Sequence, residues 1–233
     1  MSLNAHTLPK FVLLIFCYIL IFATSCKDKQ ENTLEKTSRD STEKETPTSN
    51  ATILFFGNSL TAGLGLDPDD AFPALIQNKI DSLSLDYIVV NAGLSGDTTA
   101  SGKNRLEWAL NDGVEIMILE LGANDGLRGI PLDETEANLQ EMINMAKTSN
   151  QDIKIILAGM QIPPNMGPEY TEQFKNIYPK LAEKNSIPLI PFLLQDVAGI
   201  PELNQNDGIH PTEEGQKIVA NNVWEVLKTE LSQ

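Results

Sequence analysis

The chain has 233 residues and a formal net charge of −15, enough length for one sizeable domain whose core needs neither metals nor disulfides. Residues 1–50 carry six basic and six acidic side chains, so the whole imbalance falls on residues 51–233; so acidic a domain repels phosphate backbones and anionic lipid surfaces, which argues against nucleic acid as a partner. Only two cysteines occur, Cys17 and Cys26, which leaves residues 51–233 without disulfides, thiolate metal sites or cysteine nucleophiles.

In chain order, Lys10, an apolar run over 11–22 and the small residues Ala23, Thr24 and Ser25 have the parts of a bacterial export signal. The run is too short to span a bilayer comfortably. With Cys26 next, the stretch resembles a lipoprotein signal over 1–25, in which the cysteine is lipidated and becomes the mature N-terminus; Ala23 stands where leucine is commonest. An ordinary cleaved signal and an uncleaved anchor are the alternatives. The expected location is the bacterial cell envelope, with a lipid anchor in the membrane. Residues 26–50 are mixed in charge, rich in Ser and Thr and poor in apolar side chains, a solvated tether.

From residue 51 onward apolar runs alternate with helical patterns, the signature of repeated βα units and a parallel sheet covered on both faces. The first strand, 51–57, stops at Gly57 and hands Ser59 to a turn. A helix over 70–83 spaces Phe72, Leu75, Ile76, Ile80 and Leu83 on one face, and a strand over 87–91 runs into AGLSGDTT. A helix over 99–111 follows, then a strand over 115–121 ending in GANDG. Next come a helix over 133–148, a strand over 153–159, a helix over 169–185 in which Pro179 marks a kink or a new turn, and a strand over 188–193. The last helix, 212–231, follows the loop DGIHP.

Ligands of open parallel sheets sit beyond the carboxyl ends of the strands, so Ser59 is placed where a substrate would be. Ser and Asn also cap helices, and a cap is the plain alternative. Once His6 leaves with the signal, His210 is the only histidine, so any imidazole chemistry uses it. Asp207, three residues earlier, can hold its Nδ1–H and leave Nε2 free to take a proton from a serine; a simple turn at Asp207-Gly208 is the alternative. Acyl transfer also needs donors for a developing oxyanion. The Gly93 and Ser59 N–H groups and the Asn124 side-chain amide are candidates, against a reading of both strand ends as ordinary turn punctuation. Glu120 reads as a buried structural acceptor, Asp97 and Thr98 as a helix cap, Arg128 as a loop side chain, and Trp108 and Trp224 as helix residues in core or surface. No metal-ligand spacing, phosphate-cradling motif or dinucleotide fingerprint is present.

These blocks, GNSLTAG with Ser59, NAGLSGDT with Gly93, GANDGLRG with Asn124 and DGIHP with Asp207 and His210, resemble the SGNH (GDSL-type) hydrolases, most closely the bacterial thioesterase, lysophospholipase and arylesterase branch. The resemblance spans nearly all of 51–233. It implies a three-layer α/β/α sandwich with a five-stranded parallel sheet in flavodoxin-like order, and a hydrolase of small acyl esters or thioesters that needs no cofactor. It also implies Ser59 as nucleophile, His210 as base and later acid, Asp207 as the orienting carboxylate, an oxyanion hole of Ser59, Gly93 and Asn124, and a mobile loop over 126–131. Leu127, Ile162 and Pro163 are candidates for an acyl pocket on loop position. The family's usual aspartate before the serine is Asn58 here. A carbohydrate O-acetylesterase and a catalytically silent ligand-binding lipoprotein are the rival readings.

Overall fold

A computed structural model describes residues 51–110 and 113–231. The signal, Cys26 and the tether read from 1–50 lie outside the described residues, as does Asn111 at the expected end of the helix over 99–111. Strands β1 (Ala51–Gly57), β2 (Tyr87–Gly93), β3 (Val114–Glu120), β4 (Lys154–Ala158) and β5 (Leu189–Ile190) form one parallel sheet in the order β2-β1-β3-β4-β5. The flavodoxin-like order is borne out. Residues 53–56 of β1 and 116–119 of β3 are buried on both faces of the sheet, which is why they read as continuous apolar runs rather than alternating ones. At the edge, β2 leaves Ile88 and Val90 exposed.

Seven helices accompany the sheet in the described residues: α1 (Ser59–Ala62), α2 (Phe72–Ser82), α3 (Thr99–Ala109), α4 (Ala123–Leu127), α5 (Leu132–Ser149), α6 (Pro168–Asn185) and α7 (Glu213–Leu227). The chain steps from β1 outward to β2, then reverses through β3, β4 and β5. Right-handed crossovers therefore put α2 on one face and α3, α5 and α6 on the other. The packing agrees, with α2 against α7 and α5 between α3 and α6. Phe72 of α2 meets Phe55 of β1 edge-on at 5.5 Å. The reversal leaves a crevice beyond the carboxyl ends of β1, β2 and β3, and the loops leaving those strands carry Ser59, the AGLSGDTT segment and Asn124.

Several boundaries differ from expectation for local reasons. Strand β5 has two residues instead of six because Pro188 and Pro191 flank it and bring no N–H to a ladder. A 3-10 turn at Pro68–Asp70 precedes α2, and Leu83, expected on its apolar face, is 57% exposed at its end. Helix α6 continues through Pro179, and α7 stops at Leu227, four residues short of its expected end. Trp108 is exposed, while Trp224 packs partly buried against the core.

Candidate active site

The turn after β1 is built by Asn58, not by Ser59. Asn58 is the N-cap of α1, its Oδ1 accepting the Leu60 N–H at 2.9 Å, so the capping alternative for Ser59 falls to its neighbour. That leaves the Ser59 hydroxyl, on a nearly buried residue at the first helical position, 2.8 Å from His210 Nε2 and in a longer 3.4 Å contact with Asn58 Oδ1. The Ser59 N–H, at a helix N-terminus, has no partner within the helix.

His210 reaches Ser59 across 151 residues of sequence, and its loop is held on both sides. Asn204 and Pro211 form an antiparallel bridge, the Gln205 N–H donates to His210 O at 2.7 Å, and the Gly208 N–H to Gln205 O at 2.8 Å. The Gln205 side chain donates to Pro211 O at 3.0 Å and to Leu64 O just after α1 at 2.7 Å, which ties the histidine loop to the serine turn. His210 Nδ1 lies 2.6 Å from Asp207 Oδ2. A carboxylate can only accept, so Nδ1 carries the proton and Nε2 presents its lone pair to Ser59. The other carboxylate oxygen accepts the Ile209 and His210 N–H groups at 2.9 and 3.0 Å. The His210 N–H foremost, helped by the Ile209 N–H and the imidazole, lowers the Asp207 pKa to about 2 against the opposing effect of burial. Asp207 is thus charged at any neutral working pH.

The expected place of Gly93 needs correction. Its N–H donates to Asn91 Oδ1 at 2.9 Å and is not free for an oxyanion. Gly93 is the last residue of β2, level with Gly57, and a Cβ there would lie 2.3 Å from the Ala62 N; it is glycine so that α1 can cross close above the sheet. The next glycine, Gly96, is different. Residues 94–97 form a turn closed by the Asp97 N–H to Leu94 O at 3.1 Å, and Gly96 has φ +88° with Ser95 not in the left-handed region, the pattern of a type II turn. No acceptor for its N–H occurs among the described residues. Asn124 Nδ2 donates to Asp97 O at 2.9 Å, which brings the Asn124 amide beside this turn. Asn124 itself lies in the short helix α4 rather than in a loose turn. Sequence reasoning passed over Gly96 because NAGLSGDT holds two glycines; the usable signal is that only the second lies beyond the strand.

Of the expected acyl-pocket residues, Leu127 is 36% exposed and Pro163 is exposed. Ile162 is 5% exposed and belongs to the core. It is withdrawn from the pocket because α4 passes so close that a Cβ at Gly126 would lie 2.7 Å from its Cγ2. Two supports of the site escaped the sequence. Buried Asp125 accepts the Thr99 N–H at 2.8 Å and its hydroxyl at 2.5 Å, joining α4 to the start of α3. Arg105 pairs with Asp97 at 2.5 Å, donates to Gly57 O at 3.0 Å and lies 4.0 Å over the Phe56 ring. Thr98 caps α3 in a capping box with Ser101, as half of the Asp97-Thr98 reading expected. Glu120 accepts from backbone and hydroxyl donors, and Arg128 Nη2 donates to Gly96 O at 3.1 Å. Among the described residues no group of three or more His, Cys, Asp or Glu could hold a metal ion.

Residues 55–218 match the model of the GDSL-like Lipase/Acylhydrolase family. The chain is 40% identical to "Esterase TesA" of Pseudomonas aeruginosa over 178 residues, 76% of this chain and 88% of that protein. It is 39% identical over 170 residues to "Thioesterase 1/protease 1/lysophospholipase L1" of Escherichia coli K12, 72% of this chain and 79% of that protein. A crystal structure of TesA superposes with a TM-score of 0.74 at 40% identity, covering 77% of this chain and 99% of that one.

Proposed function

The chain belongs to the GDSL-like lipase/acylhydrolase family, and from that premise we propose how its residues divide the work of an esterase or thioesterase. Membership bears out the SGNH resemblance and the three-layer fold, and makes the protein a hydrolase of carboxylic esters or thioesters. The observation that carries the division of labour is the continuous chain of contacts from Ser59 Oγ through His210 to Asp207.

Ser59 Oγ attacks the acyl carbonyl carbon while its proton passes to His210 Nε2. Asp207 holds the imidazolium that forms. The C–O or C–S bond to the leaving group then breaks, and His210 returns the proton to the departing oxygen or sulfur, leaving an acyl ester on Ser59. A water gives its proton to His210 and attacks the same carbon; the acid departs as Ser59 regains its proton. The negative oxygen of each tetrahedral intermediate lies among the Ser59 N–H, the Gly96 N–H and the Asn124 amide, whose second hydrogen already binds Asp97 O. Asn124→Ala is expected to lower kcat by about 100- to 1,000-fold with little change in KM, as loss of one oxyanion donor does; a loss below fivefold on the best ester would remove Asn124 from the hole.

Four exposed apolar side chains leave the loops and the end of α4 around this site: Leu64, Leu94, Leu127 and Ile209. They favour an aliphatic or aromatic acyl group over an acetylated sugar. Hydrolysis of a chain-length series of chromogenic acyl esters, beside acyl thioesters and acetylated sugars, tests this directly. The reading requires activity that rises from acetyl toward longer chains; activity confined to acetylated sugars defeats it.

At the N-terminus we place a lipoprotein signal and an anchor on Cys26, supported by the apolar run and the small residues before it. Cys26→Ser should move the expressed full chain from the membrane fraction to the soluble or unprocessed pool and abolish incorporation of labelled fatty acid. Unchanged labelling would refute the anchor.

A further inference from the structure

Glu120 is the last residue of β3, wholly buried, directly beneath the nucleophile turn. Its Oε1 accepts Asn58 Nδ2 at 2.7 Å, and its Oε2 accepts the Asn58 N–H at 3.1 Å and the Thr61 hydroxyl at 2.8 Å. The Asn58 amide is thereby oriented: Nδ2 faces the carboxylate, while Oδ1 faces the Leu60 N–H and the Ser59 hydroxyl. Reversing the amide would set Nδ2 against the Leu60 N–H and Oδ1 against the carboxylate. We propose that Glu120 is a positioning residue for Ser59, acting through Asn58, and that Asn58 lets this buried carboxylate serve without a shared proton. The inference rests on Ser59 being the nucleophile.

The donor pattern shows why asparagine matters. The groups that meet Glu120 from Asn58 and Thr61 are donors, which suits the ionised form. An aspartate at position 58, the residue usual in the family, would set two carboxyl groups in the place of this 2.7 Å contact, and such a pair cannot ionise fully without a proton between its members. Burial pushes the Glu120 pKa up, and the bonds from Asn58 and Thr61 pull it partly back, to about 7. As pH falls through that value the carboxylate takes up a proton and its charge-assisted bonds weaken. Other ionisable groups surround it without bonding it. Tyr178 of α6 donates to Leu121 O at 3.0 Å, and its own pKa is raised mainly by burial, then by Glu120 and Asp125. On α3, Arg105 is engaged by Asp97 and Gly57, Asp125 of α4 by Thr99, and His210 stands beyond Ser59.

The test is a set of kcat/KM against pH profiles and thermal midpoints for the full chain, Glu120→Gln, Asn58→Asp and the double variant. Glu120→Gln sets donor against donor and should lose about 10- to 100-fold in kcat with KM nearly unchanged, the scale of a displaced catalytic group. The double variant restores the pattern: the glutamine amide donates to the carboxylate introduced at position 58, and its oxygen accepts the backbone N–H of that position and the Thr61 hydroxyl. It should regain most of the lost activity and thermal midpoint. Wild type should lose activity toward acid through the protonation of Glu120, a step that Glu120→Gln lacks. Asn58→Asp needs its shared proton and should lose activity as pH rises and that proton leaves, opposite in sign to the effect of Glu120 in wild type. Glu120→Gln equal to wild type in kcat and slope, or a double variant no better than Glu120→Gln in activity and midpoint, overturns the proposal. A wild type inactive on every acyl ester defeats the parent reading instead, and the midpoints alone then decide the donor–acceptor strut.

Discussion

Ser59→Ala is expected to lower kcat on the best acyl ester by about 10⁶-fold, His210→Ala by a similar factor, and the double variant by no more than either alone, because residues acting as one unit are lost together. The geometry requires this pattern. Ser59 Oγ has one short partner, His210 Nε2 at 2.8 Å, and without the imidazole a serine hydroxyl is a weak nucleophile at neutral pH. Without Ser59, the imidazole has no nucleophile to activate. The residual rate over water then comes from the oxyanion donors and binding. Neither substitution touches the supports of the turn, since Asn58 caps α1 and Gln205 ties the two loops whichever residue stands at 59 or 210. Circular dichroism and thermal midpoints should therefore stay close to wild type. Near-additive losses, giving a double variant orders of magnitude below both singles, would show that Ser59 and His210 do not share a step.

The middle of the sheet was legible because strands buried on both faces leave unbroken apolar runs, as at residues 53–56 and 116–119. Ser59 and His210 were legible because each belongs to a short local motif and His210 has no competing histidine after residue 6. Long-range pairings leave no such local mark. Nothing near Gln205 in sequence points to Leu64, 141 residues away, and nothing near Asp125 points to Thr99. Gly93 misled for a related reason. Glycine is demanded at a strand end when another backbone crosses it and at a turn when φ must be positive, and both demands fall within four residues here. The hydrogen bond from the Gly93 N–H to Asn91 shows that Gly93 answers the first demand and not the oxyanion. Ile162 shows the limit of placing a side chain by loop position, since its burial is set by the close passage of α4.

Asp207→Asn is expected to keep the loop and lose about 10⁴-fold in kcat, the cost of the wrong imidazole tautomer in a triad. The asparagine Oδ1 can still accept the Ile209 and His210 N–H groups that now bind the carboxylate at 2.9 and 3.0 Å, so local backbone structure has no reason to change. The side-chain nitrogen, however, replaces the oxygen that lies 2.6 Å from His210 Nδ1, and it donates. Nδ1 must then accept, the ring proton moves to Nε2, and an N–H points at the Ser59 hydroxyl it should deprotonate. In wild type the Asp207 pKa, lowered to about 2 chiefly by the His210 N–H, keeps the carboxylate charged and the correct tautomer in place at neutral pH. The acid limb of activity therefore does not belong to Asp207. Nitrogen NMR checks the cause as well as the effect, because His210 is the only histidine after residue 6: its proton should sit on Nδ1 in wild type and on Nε2 in the variant. A variant within tenfold of wild-type turnover, or one retaining the Nδ1–H tautomer while inactive, would mean that Asp207 does not act by orienting His210.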